Sequence, residues 1–154
     1  MSPLLSWSPE ELQRFLVERI PFNAWCGITI ADVAPGRIVA DLPFDARLVG
    51  DAAANALHPG PITVMLDTIC GTVALTRMPV PRRTATLDLR IDWLRAPGAG
   101  LGVRCIAEII AIGEHVLTTR ALAHDGDPAD PVATAVGSFA VFPPSVAVPG
   151  GATS

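Results

Sequence analysis

The chain has 154 residues, a size that suits one domain, with half of them hydrophobic and a net charge of −4. The positive charge is scattered, without the basic patch a nucleic-acid binder needs, and no apolar run reaches the roughly 18 residues of a membrane span. All eleven basic residues are arginine, which excludes Schiff-base chemistry and a Walker-type phosphate loop, since both need lysine.

Residues 1–7 are expected to be loose. They lack the basic and apolar regions of a secretory signal, so the cytoplasm is the expected location. Ser8-Pro9-Glu10-Glu11 reads as a capping box with proline at the first helical position. The helix should run to about Arg19, present Leu12, Phe15, Leu16 and Ile20 on one face, and stop at Pro21. Two strands should follow between Gly27 and Phe44, turning at Pro35-Gly36, because Ile28, Ile30, Ile38, Ala40 and Leu42 alternate. Asp45 to Ala56 reads as a polar connection.

The central stretch, Asn55 to Thr76, begins with a turn. It continues as a helix that is apolar on nearly every side, the mark of a buried helix. Asp67 lies inside it. A buried carboxylate is costly unless paired or hydrogen-bonded, and such conflicts gather at functional sites. Read on its residues alone, Asp67 is a structural acid tied to backbone N–H groups or to an arginine, or else a working one.

After Pro79 the texture changes. Thr86, Asp88, Arg90 and Asp92 alternate with Leu87, Leu89, Ile91 and Trp93, as in a half-buried strand. Pro97 to Gly100 reads as a hairpin turn. Strands follow over 101–112, 115–124 and 132–142, and 143–154 reads as a flexible tail. The three cysteines (Cys26, Cys70, Cys105) and three histidines (His58, His115, His124) have no metal-binding spacing, so no metal site is expected. The expected organisation is an N-terminal helix over 1–20, a single domain over 21–142 and the tail. This is an α+β layout with helices on one face of an antiparallel sheet. The uncovered sheet face calls for a partner copy.

At His58-Pro59-Gly60, with Asp67 nine positions after the histidine, the chain resembles the hotdog-fold acyl-CoA thioesterases, most closely their PaaI-like branch. Thr86-Leu87-Asp88-Leu89 through Arg95-Ala96-Pro97 is similar to the family's next strand, and the resemblance covers roughly 22–142. It implies a hotdog fold: a long central helix wrapped by a curved antiparallel sheet, here with an added N-terminal helix. It also implies an acyl-CoA substrate, no cofactor beyond the coenzyme A of that substrate, and a homodimer or homotetramer with sites between subunits. Nucleic acid and membrane are not expected partners.

Carried over residue by residue, Asp67 resembles the family's general base or nucleophile, and the His58–Gly60 turn its oxyanion site at a helix N-terminus. Thr86 falls where some relatives place a serine that orients water. Asn55 resembles an upstream polar residue. Arg82 and Arg83 read either as part of a solvated loop or as contacts to coenzyme A phosphates, since arginine suits phosphate recognition. One departure matters. The usual turn glycine is Pro59, and Pro61 also lacks an N–H, so only Gly60 can donate between His58 and Ile62. That leaves a non-catalytic acyl-CoA binding module as the alternative. A hydratase of the same fold is disfavoured, because Thr72 stands where a histidine would be needed.

Overall fold

The computed structural model describes residues 7–144. Of the residues read as loose (1–7) and as tail (143–154), 1–6 and 145–154 lie outside the described residues, whereas Trp7 packs against the core.

Ser8 caps the first helix, α1 (Pro9–Gln13), through the expected capping box: its hydroxyl accepts the N–H of Glu11 while Glu11 accepts the N–H of Ser8. The helix then widens into a π turn over Arg14–Glu18. A π turn advances by five residues rather than four, so Val17 joins Leu12 and Leu16 in the core and Ile20 stays 42% exposed. This corrects the expected stripe. Pro21 ends that helix but also opens a second, α2 (Pro21–Cys26), in whose first turn it sits, the position that favours proline.

Strands β1 (Thr29–Ala34) and β2 (Arg37–Leu42) pair around the turn at Gly36, whose φ of 81° suits glycine. The supposed connection after them is partly structured. Residues Ala46–Leu48 form a 3-10 turn, and β3 (Val49–Asp51) pairs with β4 (Ala56–Leu57) in a small separate sheet.

The central helix α3 (Pro59–Thr72) continues as a 3-10 segment over Val73–Arg77. Four long strands follow: β5 (Thr84–Trp93), β6 (Val103–Ile112), β7 (Val116–His124) and β8 (Ala133–Val141). The six-stranded antiparallel sheet has the order β1-β2-β6-β7-β8-β5, and α3 packs on five of these strands. Ile62, Met65, Leu66 and Ile69 face the sheet and are fully buried. Each such side chain contributes roughly 1.5–3 kcal/mol on leaving water. Gly71 lets helix and sheet close together, since a Cβ there would lie 3.0 Å from the ring of Phe139.

Two expectations need correction. Pro97 to Gly100 is not a hairpin turn, because β5 pairs with β8 and β6 lies between β2 and β7. The segment crosses between strands that are not neighbours. Nor is α3 buried on all sides, since Val64, Asp67 and Thr68 are only half-buried along one flank of the helix. No helix among the described residues is long and apolar enough to cross a membrane.

Candidate active site

His58 is the N-cap of α3. Its backbone N–H donates to Leu48 O at 2.8 Å, which ties the turn to the end of the 3-10 segment that precedes β3. Its Nδ1 accepts the N–H of Gly60 at 2.9 Å. With Pro59 and Pro61 carrying no N–H, the one donor left in this turn is therefore already engaged. A ring nitrogen that accepts carries no proton, so the proton of the neutral imidazole sits on Nε2, which becomes a donor.

Asp67 stands two and a half turns further along. Its Oδ1 accepts the hydroxyl proton of Thr86 at 2.8 Å. A bulge in β5 makes that meeting possible. Thr86 pairs with Phe139 and Asp88 with Ser138, which leaves Leu87 unpaired between them. The extra residue shifts the alternation by one, so Thr86 faces the helix while Leu89 and Ile91 still pack on the core. Leu87 points outward and is 61% exposed. Simple alternation would have put Thr86 on the opposite face from these two. One turn beyond, Thr84 donates to Gly71 O at 2.8 Å and fastens the same strand to the same helix.

His58 and Asp67 do not meet within one chain. Nine residues of helix separate them by about 13 Å. A cavity of about 470 Å³ opens beside His58, lined by Ala56, Leu57, Pro59, Trp93, Leu94 and Pro97 among others. Its walls are mainly apolar. Arg95 also lines it, but its guanidinium is held by Asp125 through two bonds of 2.8 and 2.6 Å. Asp125 accepts the N–H of Gly98 as well, at 2.7 Å. The Arg95 guanidinium holds the Asp125 carboxyl well below the usual carboxylate range. This clamp fixes the crossing loop as one wall of the cavity.

The remaining candidates lie elsewhere. Asn55 is exposed in the left-handed region (φ 50°) and its carbonyl accepts the Gly100 N–H, but it does not line the cavity. Arg82 and Arg83 stand at the other end of α3 from His58, around a second cleft of about 410 Å³. Sequence reasoning missed Trp93 to Arg95 as wall residues. The clustering of Trp93-Leu94 just before a Pro- and Gly-rich loop was the available signal. It also missed Asn23, fully buried, whose side chain joins Leu16 O to the Thr68 hydroxyl and so seats α2 against α3. No pattern in the chain marked it.

Cys70 lies three residues from Asp67, but burial pushes its thiol up to about 11, which removes it as a nucleophile at neutral pH. Among the described residues no group of three or more His, Cys, Asp or Glu side chains converges as a metal site.

A family model described as "Thioesterase superfamily" matches residues 54–132, which include both His58 and Asp67. The medium/long-chain acyl-CoA thioesterase YigI of Salmonella typhimurium is 30% identical over 126 residues, covering 72% of this chain and 79% of that protein. Among solved structures, a Pseudomonas aeruginosa protein superposes with a TM-score of 0.77 at 28% identity, over 84% of this chain and 96% of that one. A Haemophilus influenzae thioesterase gives the same TM-score at 18% identity over 92% and 95%, a likeness of fold alone.

Proposed function

The chain belongs to the thioesterase superfamily and is a thioesterase of hotdog fold; from that premise we propose that it hydrolyses acyl-CoA thioesters with Asp67 as the base. The observation that carries the reading is the 2.8 Å bond from Thr86 to Asp67 on the half-open flank of the central helix. Thr86 gives its proton to Oδ1 and keeps two lone pairs as acceptors for a water. Asp67 takes a proton from that water as its oxygen bonds to the thioester carbonyl carbon. The tetrahedral intermediate collapses, the carbon–sulfur bond breaks, and the coenzyme A thiolate recovers the proton from Asp67. The products are free acid and coenzyme A thiol, and no cofactor is consumed. A water held by Thr86 favours the base over direct attack by the carboxylate.

The carbonyl needs a donor for its developing negative charge. With the Gly60 N–H already given to His58 Nδ1, the Nε2–H of His58 is the donor this turn offers. The missing N–H of Pro59 is thereby replaced, and the binding-module alternative loses its main support.

A site that uses both His58 and Asp67 takes them from two copies. Among the described residues strand β5 is a free sheet edge, with Leu87 61% and Trp93 42% exposed, and Leu94 just beyond it is 58% exposed. Long exposed apolar edges are normally covered. A two-fold axis pairing β5 with its copy, antiparallel, sets the Thr86 end of one strand against the Trp93 end of the other. Asp67 of one copy then approaches the His58 turn of the second, in a homodimer with two sites.

The apolar walls beside His58 suit an aliphatic acyl chain, and the substrate class in the name of YigI agrees with that. The three buried free cysteines fit a reducing, cytoplasmic setting. The test is thiol release over a panel of aryl and straight-chain acyl-CoAs. The reading expects kcat/KM to rise from acetyl towards medium and long chains. Equal rates for acetyl-CoA and long chains would contradict the pocket assignment.

A further inference from the structure

Strands β3 and β4 do not pair residue for residue. Val49 stands opposite Leu57 and Asp51 opposite Ala56, so Gly50 is the extra residue of a bulge. His58 follows β4 directly, and its backbone is already tied to Leu48 O at 2.8 Å. The bulge therefore presses Gly50 against His58. A Cβ on Gly50 would lie 2.8 Å from His58 Cα, 2.8 Å from the ring carbon Cδ2 and 2.9 Å from the His58 Cβ. Carbon atoms in contact sit about 3.5–4.0 Å apart, so any side chain at position 50 would displace the imidazole. The φ of Gly50 is not positive. Close approach, and not backbone freedom, is what calls for glycine here.

A second glycine holds the opposite edge of the ring. Nδ1 accepts the Gly60 N–H at 2.9 Å, and a Cβ on Gly60 would lie 3.0 Å from Nδ1 and 3.4 Å from Cε1. Cδ2 thus faces Gly50, Nδ1 faces Gly60, and Nε2 is the ring nitrogen bonded to neither. His58 and Gly50 both line the cavity of about 470 Å³. His58 is exposed, and an exposed side chain ordinarily samples several staggered rotamers. The slot between the two glycines selects one of them.

We propose that Gly50 is a positioning residue for hydrolysis: its missing side chain makes the slot that holds the His58 ring with Nε2–H towards the thioester carbonyl. The inference rests on the reading of Nε2 as the oxyanion donor. It adds the small β3–β4 sheet to the parts of the fold on which the rate depends. Gly50 acts through the ring and not on the substrate.

The test compares wild type, Gly50→Ala, His58→Ala and the double variant in thiol release from one acyl-CoA, with thermal melts on the same samples. Misplacing a reacting group by about 1 Å costs about 10²-fold in rate. Gly50→Ala should therefore lose about 10²-fold in kcat while KM stays within about twofold. In the His58→Ala background there is no ring to displace, so the same substitution should change kcat by less than about twofold. Its effect on Tm should appear in both backgrounds. An equal fold-loss of kcat in both backgrounds is what a merely structural role gives, and it would overturn the proposal. A folded Gly50→Ala with wild-type kcat, beside a slow His58→Ala, would also overturn it and leave the donor reading standing. A His58→Ala protein as fast as wild type would remove the donor reading, and the proposal with it.

Wild type alone supplies a measurement that does not depend on the folding of Gly50→Ala. In NMR spectra the His58 ring nitrogens should report the Nε2–H tautomer, with a strong nuclear Overhauser contact from Gly50 Hα to His58 Hδ2. A ring averaged over several rotamers, without that contact, would refute the slot.

Discussion

Replacing His58 separates two jobs that one side chain performs. As N-cap it accepts the Gly60 N–H at 2.9 Å, and exchanging such a cap for alanine costs about 1 kcal/mol. For a chain of this size that lowers Tm by about 2–4 °C. As oxyanion donor through Nε2 it is worth far more to the reaction, since one lost donor costs about 10²–10³ in kcat. His58→Ala should therefore melt slightly earlier and turn over at least a hundredfold more slowly. His58→Asp keeps an acceptor for Gly60 and removes the donor, so it should recover the Tm and not the rate. The assay is thiol release at saturating acyl-CoA, with thermal melts on the same samples. The two readings of the turn differ in sign here. Removing the ring frees the Gly60 N–H, so a His58→Ala variant with undiminished or raised kcat would show that Gly60 polarises the carbonyl and that His58 only caps.

Three more predictions come from the same geometry. Thr86→Ala removes the 2.8 Å bond to Asp67 and should lower kcat by about tenfold, the worth of one hydrogen bond to a charged group; Thr86→Ser should restore it, and an unchanged rate in the alanine variant would count against a water held there. Co-expressed Asp67→Asn and His58→Asp chains should recover about a quarter of wild-type activity, because half the dimers are mixed and each has one intact site; no recovery from two inactive chains in verified mixed dimers would refute a shared site. Asp125→Asn should lower Tm by several degrees at neutral pH by breaking the clamp on Arg95, whose acid side chain is only 9% exposed. Because folding depresses the Asp125 pKa, its stabilisation is full above the unfolded value of about 4 and fades as pH falls below it. The Tm gap between wild type and variant should narrow under acid, and a gap that widens there would contradict the assignment.

The spacing of His58 and Asp67 and the capping box at Ser8 were readable because each depends on residues close in sequence. The turn at Gly36 was readable for the same reason. What escaped depends on register and partners. The π turn over Arg14–Glu18 moves Val17 inward and Ile20 outward, and nothing in the local composition announces it. The alternation in β5 was visible, but the bulge at Leu87 reverses which residues share a face with Thr86. Alternation also says that a strand is half-buried without saying which strand it joins. Pro97 to Gly100 therefore looked like a hairpin turn, although β5 lies beside β8. The loss of N–H groups at Pro59 and Pro61 could be counted directly. The engagement of the remaining one by the His58 ring could not, because it depends on a side-chain rotamer.

Asp67 carries the chemistry in this account, and the most direct measurement compares wild type with Asp67→Asn in thiol release from a medium-chain acyl-CoA. The amide keeps the size of the side chain and can still accept from Thr86, so the fold and substrate binding should persist while release falls to background. An Asp67→Asn protein that releases thiol at the wild-type rate would contradict the account, because the base would then have to lie elsewhere.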